Sequence, residues 1–397
     1  MNRKIFLILL SLALIFGWSS ALFAAPQQEE AGPIKIGMYA DLSAGTAQWG
    51  TDSEKGARLR IKEANEKGGI MGRKVELIIY DCKLSPTEAI KAYTRLAQQD
   101  KVAAVYGSLI SNTGLAVSPV AEQLKVPVVS RAMDERVTTP KFDPEDPENP
   151  GPVNPYFFLL QPSAFQQAAI IASYAIDELG LNTFAMLYSP ANAYALYLAK
   201  GFEHYVKKRG KTMLGGLEFQ AGDKDYKAQL TKIKQLKPDG LFICNYITQN
   251  ANAVKQAREL GLETTFLGNN SWYKPMDDVA GTAADGGYFP HNIAEDDPSL
   301  QWYFKKYEAE YGQEPRLHSF SGWDDVGFIL QAIEKAKSTD PEKVKDAMEA
   351  TRKFEGTIGT INIDPKTHRP VGLKMSILYF EGAKIKTAVL KYYPKEP

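Results

Sequence analysis

The sequence predicts an α/β protein with two lobes, each built on a doubly wound parallel sheet that carries helices on both faces. Short β-branched runs alternate with longer helical patterns from Pro33 to Ser130, and this alternation is typical of parallel sheets. The same alternation resumes after a proline-rich break at residues 139–155. A length of 397 residues also suits two lobes better than one.

The first half of the chain contains four strand-like runs and three helical segments. The strands are PIKIGMYA, KVELIIYD, VAAVYG and VPVVS, and the helices lie in DSEKGARLRIKEANEKGG, in SPTEAIKAYTRLAQQ and from Asn112 to Gln123. In the second helix, Ser85 is the predicted N-cap, Pro86 takes the first position and Glu88 completes a capping box. This β-α-β order predicts crossovers that return each strand parallel to the one before.

The segment from Thr139 to Pro155 contains six prolines and mostly acidic charge. We expect it to form an exposed, partly mobile loop, because proline interrupts both helices and central strands. After it, the predicted strands are YFFLL, TFAMLY, TMLGGLEF, GLFICNY and TTFLG, with helices near 165–179, 193–209, 225–236 and 250–260. The tail adds helices near 298–311, 319–337 and 341–351 and the hairpin LKMSILYF-EGA-KIKTAVLKYY.

Charge and the N-terminus restrict the class of protein. The 47 basic residues balance 47 acidic ones, so neither nucleic acid nor an anionic membrane is indicated as a partner. Residues 1–24 have a basic start, a short apolar run and small residues before the expected cleavage point, which is the layout of a secretory signal peptide. We therefore expect secretion across the inner membrane and a soluble periplasmic protein, with a membrane anchor as the alternative.

Motifs of enzymes and metal sites are sparse. The four histidines lack metal-ligand spacing, and neither H-E-x-x-H nor G-x-S-x-G occurs. Asp324 and Asp325 are adjacent on a predicted helix, where neighbouring side chains diverge, so we expect a capping or surface role and not a shared-proton pair. We therefore predict no catalytic residues, no cofactor and no metal. The only cysteines, Cys82 and Cys244, end strands in different lobes and are predicted to be unpaired.

A candidate ligand seat lies where the strand VAAVYG ends and the next helix begins, at Ser111 and Asn112. In doubly wound sheets, ligands bind at the carboxyl ends of the strands, where helix N-termini point. Free N–H groups at a helix N-terminus favour an anion, and a serine hydroxyl adds a donor. Ordinary helix capping is the alternative explanation. If the two lobes face each other, the ligand site is the cleft between them.

Several segments together resemble the leucine/isoleucine/valine-binding proteins, which are type I periplasmic solute-binding proteins of ABC importers. The segments are IKIGMYADLSAGTAQWG, GARLRIKEANEKGGIMGRKVELIIYD, KVAAVYGSLISNTGLAV, NPYFFLLQPS, QARELGL and GTIGTINID. The resemblance implies two lobes joined by three crossover strands, near 158–162, 289–292 and 358–363. It assigns residues 33–161 and 291–360 to lobe I and residues 162–290 and 361–397 to lobe II. It also implies ABC permease subunits as partners, and we expect a monomer.

The resemblance assigns positions in the cleft to particular residues. Ser111 matches the serine that holds the ligand carboxylate, together with N–H groups near Asn112. The segment SRAMDE matches a second carboxylate-contacting stretch and contributes Ala132, Met133 and Asp134. Met133 or Asp134 stands where the family has a threonine. The aromatic positions of the family match Trp49, Tyr194, Tyr246 and, at the edge of the cleft, Trp323.

Two positions depart from the family pattern, and both concern the amino group of an amino-acid ligand. The family has acidic groups where this chain has Ala164, followed by Phe165, and where it has Asn270. An unpaired buried ammonium costs several kcal/mol, and Asp134 is the residue that could restore the charge. We therefore predict a small carboxylate with an apolar or aromatic body, which Phe165 would help to enclose. Leucine, isoleucine, valine or another amino acid is the alternative ligand, and a sensory co-receptor is the alternative role.

Overall fold

In a computed structural model of the protein, residues 32–107 and 109–394 are described. The predicted signal peptide at residues 1–24 lies outside these ranges. Within them, no helix combines the length and the apolar character that crossing a bilayer requires.

The first lobe is built on a five-stranded parallel sheet in the order β2-β1-β3-β4-β5. The strands are β1 Ile34–Ala40, β2 Val75–Asp81, β3 Val105–Gly107, β4 Val128–Ser130 and β5 Phe157–Leu159. The connecting helices are α1 Ala47–Glu66, α2 Pro86–Arg95 and α3 Ser111–Leu124. The parallel sheet with interleaved helices confirms the predicted fold class for this half.

The start of α2 follows the predicted signals only in part. Pro86 takes the first helical position, and the Ser85 hydroxyl accepts the Glu88 N–H at 3.4 Å. The Glu88 carboxylate does not return to the cap. It accepts from Lys91 Nζ at 2.8 Å, so the capping box is half formed.

The second lobe repeats the plan. Its parallel strands run in the order β10-β9-β8-β6-β7 and are β6 Thr183–Tyr188, β7 Thr212–Glu218, β8 Gly240–Cys244, β9 Thr265–Leu267 and β10 Tyr288–His291. Its helices are α4 Ala164–Asp177, α5 Ala193–Lys208, α6 Lys227–Leu236, α7 Ile247–Glu259 and α8 Met276–Ala280.

The chain then returns to the first lobe before it completes the second. The returning segment forms helices α9 Gln301–Tyr311, α10 Leu317–Ala336 and α11 Pro341–Glu349, followed by a small sheet of β11 Phe354–Gly356, β12 Gly359–Ile363 and β13 Pro370–Val371. The predicted C-terminal hairpin, β14 Met375–Glu381 and β15 Lys384–Tyr392, pairs antiparallel with β10 and extends the second sheet.

The chain crosses between the lobes three times. The first crossing lies between β5 and α4, and the second follows β10, because Ile293 already packs in the core of the first lobe. The third crossing lies later than the expected 358–363. Ile361, Ile363 and Leu373 are buried in the first-lobe core, so residues up to Leu373 stay with that lobe.

The proline-rich segment is anchored to its surroundings and is not a free loop. Phe142 is buried against Phe165, with ring centroids 5.4 Å apart, and against Tyr197 at 6.1 Å. Near its end, the Asn154 side chain donates to the Ser118 carbonyl at 2.8 Å. Most of the segment is exposed or half-buried, and the expectation of an exposed loop missed Phe142, the one large apolar side chain among the prolines.

Helices α1 and α10 approach each other closely at two glycines. A Cβ atom at Gly322 would lie 2.0 Å from the Ser53 carbonyl oxygen, and one at Gly56 would lie 1.9 Å from the Ser319 carbonyl oxygen. These distances leave no room for a methyl group. The crossing therefore fixes how the inner face of α10 is presented to the sheet.

Both cysteines are free and buried, which confirms the prediction that they are unpaired. Burial raises the pKa of the Cys82 thiol to about 11, so that thiol stays protonated at neutral pH.

Gly322→Ala should destabilise the protein by about 1–3 kcal/mol, because the added methyl overpacks a backbone contact that cannot relax without moving a helix. Urea unfolding followed by circular dichroism measures this change. Gly45→Ala is the matched control, since its Cβ would meet only the Leu84 side chain at 3.6 Å. Equal unfolding midpoints for the Gly322 variant and the wild type would contradict the packing described here.

Candidate functional site

A cavity lies between the lobes at the carboxyl ends of both parallel sheets. The first lobe contributes residues from the start of α1, the start of α3, the segment after β4 and the start of α10. The second lobe contributes residues from the starts of α5 and α7 and from the segment after β9. The residues used below are Trp49, Asp52, Ser111, Arg131, Met133, Tyr194, Tyr246, Asn270, Tyr273, Lys274, Arg316 and His318.

Ser111 lies at the cavity wall as the first residue of α3, and its side chain does not cap the helix. Its hydroxyl oxygen accepts the Asp134 N–H at 3.2 Å, which leaves the hydroxyl proton available to a ligand. The backbone N–H groups of Ser111 and Asn112 donate to no group within the described ranges, because the first intrahelical bond is donated by Gly114 to Ile110. Capping alone therefore does not account for this serine.

Asn112 was predicted to contact the ligand, but its side chain bridges the two lobes. Its Nδ2 donates to the Ala191 carbonyl at 3.4 Å, and its Oδ1 accepts the Ala193 N–H at 3.2 Å. Ala193 begins α5 of the second lobe. The amide therefore joins the N-terminal ends of two helices, one from each lobe, outside the lining of the cavity.

Arg131 is a lining residue that the sequence reasoning missed. It directly follows β4 and is 2% exposed, and its Nε is buried without a hydrogen-bond partner in the described ranges. The nearest carboxylate oxygen is Asp325 Oδ1, 4.0 Å from Nη1. A buried guanidinium carries a full charge and five donors, so this group is chemically incomplete. The signal was present, because a basic residue at the carboxyl end of a buried parallel strand lies at the ligand edge of the sheet.

Three neighbours of Arg131 were predicted to contact the ligand, and one of them, Met133, lies at the cavity. Met133 lines the cavity, whereas Ala132 is fully buried and donates its N–H to Ser130 Oγ at 3.0 Å. Asp134 forms a bidentate ion pair with Arg136, with Nε–Oδ1 at 3.0 Å and Nη2–Oδ2 at 2.7 Å, and lies outside the lining. Because Arg136 already neutralises its negative charge, Asp134 does not restore an ammonium site.

Trp49 and Tyr246 meet across the cleft. Trp49 comes from the first lobe and Tyr246 from the second, and their rings form an edge-to-face pair with centroids 5.7 Å apart. The other side of Trp49 stacks on His318 at 4.9 Å, a residue that the sequence reasoning missed. Burial and the nearby Arg131 lower the pKa of His318 to about 3, so its ring is neutral. The wall is therefore aromatic and uncharged.

Tyr194 and Asn270 form the second-lobe side of the cavity. The Tyr194 hydroxyl lies 2.8 Å from Gln167 Oε1 and 2.7 Å from Asn270 Oδ1. Gln167 is oriented by its Nε2 bond to the Pro162 carbonyl, so the hydroxyl donates to Gln167, and an Asn270 amide turned to present its NH₂ would satisfy the hydroxyl oxygen. Asn270 is thus a neutral group where the family resemblance implied a carboxylate.

Phe165 and Trp323 lie away from the cavity, contrary to prediction. Phe165 is the second residue of α4 and is buried against Phe142 and Tyr205. Trp323 is 5% exposed and packs in the helical layer of the first lobe, beside Tyr303 and under the Arg60 guanidinium at 4.9 Å. The close crossing of α1 and α10 turns this face of α10 toward α9.

The remaining charged residues of the lining are already partnered or exposed. Asp52 accepts from Gln48 Nε2 at 2.9 Å, and burial raises its pKa above the usual value. Lys274 pairs with Glu295 at 2.6 Å, and Arg316 is exposed. Within the described ranges, no three histidine, cysteine or carboxylate side chains cluster in a way that could hold a metal ion.

The model of a protein family described as "Periplasmic binding protein" matches residues 33–381 of this chain. Among curated proteins, the chain is similar to Leu/Ile/Val-binding protein homolog 7 of Brucella abortus, with 26% identity over 83% of this chain and 85% of the relative. Among solved structures, it resembles the branched-chain amino acid transporter substrate binding protein LivJ of Streptococcus pneumoniae in complex with isoleucine. That likeness has a TM-score of 0.79 and 26% identity, and it covers 91% of this chain and 100% of the other.

A third likeness concerns the fold alone. An ABC transporter solute binding protein of Rhodopseudomonas palustris in complex with benzoate aligns with a TM-score of 0.76, 20% identity and coverage of 91% of this chain and 96% of the other. The family match spans most of the chain, and two α/β lobes enclose a cavity at their facing strand ends. The chain therefore belongs to the periplasmic binding protein family, as the resemblance in the sequence implied.

Proposed function

We propose that this protein is the substrate-binding component of an ABC importer of the branched-chain-amino-acid type, and that its ligand is a small carboxylate with an apolar or aromatic body. The ligand would lie in the cavity between the lobes and be delivered to membrane permease subunits. In this proposal the protein is secreted across the inner membrane, acts as a monomer, takes no cofactor or nucleic acid and catalyses no reaction.

The observation that carries the ligand class is the buried guanidinium of Arg131 at the cavity wall, whose Nε has no hydrogen-bond partner in the described ranges and whose Nη1 lies 4.0 Å from the nearest carboxylate oxygen. A carboxylate can accept two parallel N–H bonds from a guanidinium, which is the strongest common hydrogen-bonding arrangement in proteins. The Ser111 hydroxyl and the free N–H groups at the start of α3 add donors beside the same cavity. These features together favour a ligand with a negative charge.

The walls favour an apolar or aromatic body. Trp49, Tyr246 and Tyr194 enclose the cavity from both lobes, and burying apolar ligand surface there contributes about 25 cal/mol per Å². Combined with the anion contacts of Arg131 and Ser111, this burial supports roughly micromolar affinity. The fold of the benzoate-bound protein of Rhodopseudomonas palustris is consistent with such a ligand.

A free amino acid is the second candidate, and Asp52 is the observation that favours it. Asp52 is a lining carboxylate, and the similar Streptococcus pneumoniae protein is in complex with isoleucine. However, Asp52 already accepts a hydrogen bond from Gln48, and burial raises its pKa above the usual value. Asn270 offers only a neutral amide and Asp134 is paired with Arg136, so of these three residues Asp52 alone could receive an ammonium.

A sensory role would use the same cavity and the same closure. We favour transport because residues 33–381 match the periplasmic binding protein family. Neighbouring genes for permeases and ATPases would separate the two roles.

Benzoate should bind wild-type protein more tightly than leucine, isoleucine or valine does. Arg131→Met should weaken benzoate binding roughly 10- to 100-fold, because a hydrogen bond to a charged group contributes about 1.5–3 kcal/mol. Ser111→Ala removes one hydroxyl donor and should cost roughly 2- to 10-fold. Calorimetric titration of protein refolded free of co-purified ligand measures these affinities.

Arg58→Met is the matched control for Arg131→Met, because Arg58 is exposed and pairs with Glu54 away from the cavity. It should leave benzoate affinity unchanged. Binding of branched-chain amino acids, with no detectable binding of benzoate or of an aliphatic acid, would overturn the proposed ligand class and leave an amino-acid carrier.

Ligand should close the cleft, and the Asn112 bridge should contribute to that closure. Small-angle scattering should show a smaller radius of gyration with saturating benzoate than without ligand, because the lobes share the ligand contacts. Asn112→Ala removes both interlobe bonds and should weaken affinity roughly 2- to 10-fold without altering the cavity wall.

Asn112→Asp is the intermediate control, since it keeps an acceptor for the Ala193 N–H but loses the donor to Ala191. Its affinity should fall between those of the wild type and the alanine variant. A radius of gyration that does not change with ligand would count against closure of the lobes.

A further inference from the structure

Asp325 lies behind Arg131, on the inner face of α10, and does not line the cavity itself. It is 0% exposed, and neither carboxylate oxygen has a hydrogen-bond partner in the described ranges. Its closest opposite charge is Arg131, with Nη1 4.0 Å from Oδ1, which is too long for a hydrogen bond. This carboxyl group is therefore buried without the donors that an anion needs.

The adjacent Asp324, on the same helix, has hydrogen-bond donors for both of its carboxylate oxygens. Its oxygens accept the Thr357 N–H at 2.8 and 2.9 Å and the Thr357 hydroxyl at 2.7 Å. Asp324 is thus fixed to the start of β12 and is structural. The sequence placed both aspartates at a cap or on the surface, and both are instead fully buried.

Few charged or titratable groups face Asp325 from the elements around it. Arg131 comes from the segment after β4, Asp324 from the same helix, and Tyr106 from β3. Helix α1 packs closely against α10, and its Arg60 lies over Trp323 on the outer side. Arg131 is therefore the one cation near the carboxyl group within the described ranges.

Two imidazoles near Arg131 do not change this charge balance. Burial, opposed by a backbone hydrogen bond, lowers the pKa of His291 to about 4, and burial together with Arg131 lowers that of His318 to about 3. Both rings are neutral at physiological pH. Burial, together with the neighbouring Asp324, also raises the pKa of Asp325 to about 8, against the opposing effect of Arg131.

We propose that Asp325 determines how the cavity accepts an anion, by holding a proton whenever a ligand carboxylate occupies Arg131. The proposal rests on the proposed function, because it takes the ligand to be an anion. One guanidinium cannot compensate two buried carboxylates, and the ligand forms direct hydrogen bonds that Asp325 lacks. The proton comes from solvent and adds to an Asp325 oxygen, and no other bond changes. The site therefore binds an anion together with a proton.

The sign of the pH dependence follows from this competition. A bound anion raises the pKa of Asp325 further, so the ligand binds best where Asp325 is already protonated. Affinity should be constant below about pH 7 and should fall by up to tenfold per pH unit above about pH 8. Asp325→Asn keeps the shape, carries no titratable proton and should bind with an affinity that does not vary across this range.

Isothermal titration of benzoate at about pH 6.5 and about pH 8.5, each in two buffers of different ionisation enthalpy, counts the protons bound. Wild-type protein should take up a substantial fraction of one proton at the higher pH and almost none at the lower. Asp325→Asn should take up none at either pH. Benzoate itself is ionised at both pH values, so it contributes no proton.

Glu135→Gln is the matched control. Glu135 is also fully buried, and burial, opposed by Arg369, raises its pKa to about 7, but it accepts the Phe165 N–H outside the cavity. This variant should keep the proton uptake of the wild type. Equal uptake by wild-type protein and Asp325→Asn would overturn the proposal while leaving the ligand class intact.

A second measurement needs no ligand. The folded-state pKa of Asp325 lies above the unfolded value, so the stability it contributes is present below about pH 4 and is lost as pH rises toward about 8. Asp325→Asn should therefore gain melting temperature relative to wild type between these limits. If the melting temperatures of the two proteins changed with pH in parallel, Asp325 would titrate as an ordinary carboxylate and the proposal would be overturned. Failure of benzoate and every other acid to bind would instead overturn the proposed function.

Discussion

A charge that is buried without a hydrogen-bonded counterion dominates the interior of this protein. Arg131 is held at the facing edge of the first sheet, its guanidinium is removed from water, and the nearest carboxylate is 4.0 Å away. Taking a charged side chain out of water costs several kcal/mol unless donors and acceptors are matched. The aromatic walls strengthen any interaction that completes the match, because they lower the local dielectric constant. The proposed ligand, its orientation and its proton all follow from this group.

The fold explains why such distant residues meet. Parallel strands point their carboxyl ends the same way, so the segments after β4 and β9 and the starts of α3, α5 and α7 converge on one edge of each sheet. The chain crosses between the lobes three times, which brings the two edges together. Helix α10 comes from the returning segment, and its crossing over α1 at Gly56 and Gly322 places His318 beside Trp49.

The sequence was sufficient for the fold and for three aromatic lining residues, Trp49, Tyr194 and Tyr246, because these depend on local periodicity or on family motifs. It identified Trp49, Ser111, Met133, Tyr194, Tyr246 and Asn270, all of which line the cavity. It could not rank Arg131 against Asp134, since both lie in one short segment and only the turn after β4 decides which faces inward. Trp323 was misplaced for a similar reason. The face of α10 that meets the cavity is set by two glycine contacts with α1, a tertiary feature with no local signal.

The buried charge of Arg131 also explains why the lobes would close only when a ligand is bound. In an open cleft, water can solvate Arg131, whereas closing over an empty cavity leaves the guanidinium facing a carboxyl group that is itself without donors. The interlobe contacts of Trp49 and Asn112 are modest. The edge-to-face pair of Trp49 and Tyr246 contributes about 0.5–1.5 kcal/mol, and each exposed bond of Asn112 contributes about 1 kcal/mol or less. The sum of these contributions is comparable to or smaller than the cost of taking the Arg131 guanidinium out of water without a hydrogen-bonded counterion. That cost is several kcal/mol. A ligand carboxylate removes that cost only in the closed form, which is the differential affinity that a population shift requires. In this proposal, selectivity for an anion and closure of the lobes are therefore one effect, and both depend on Arg131.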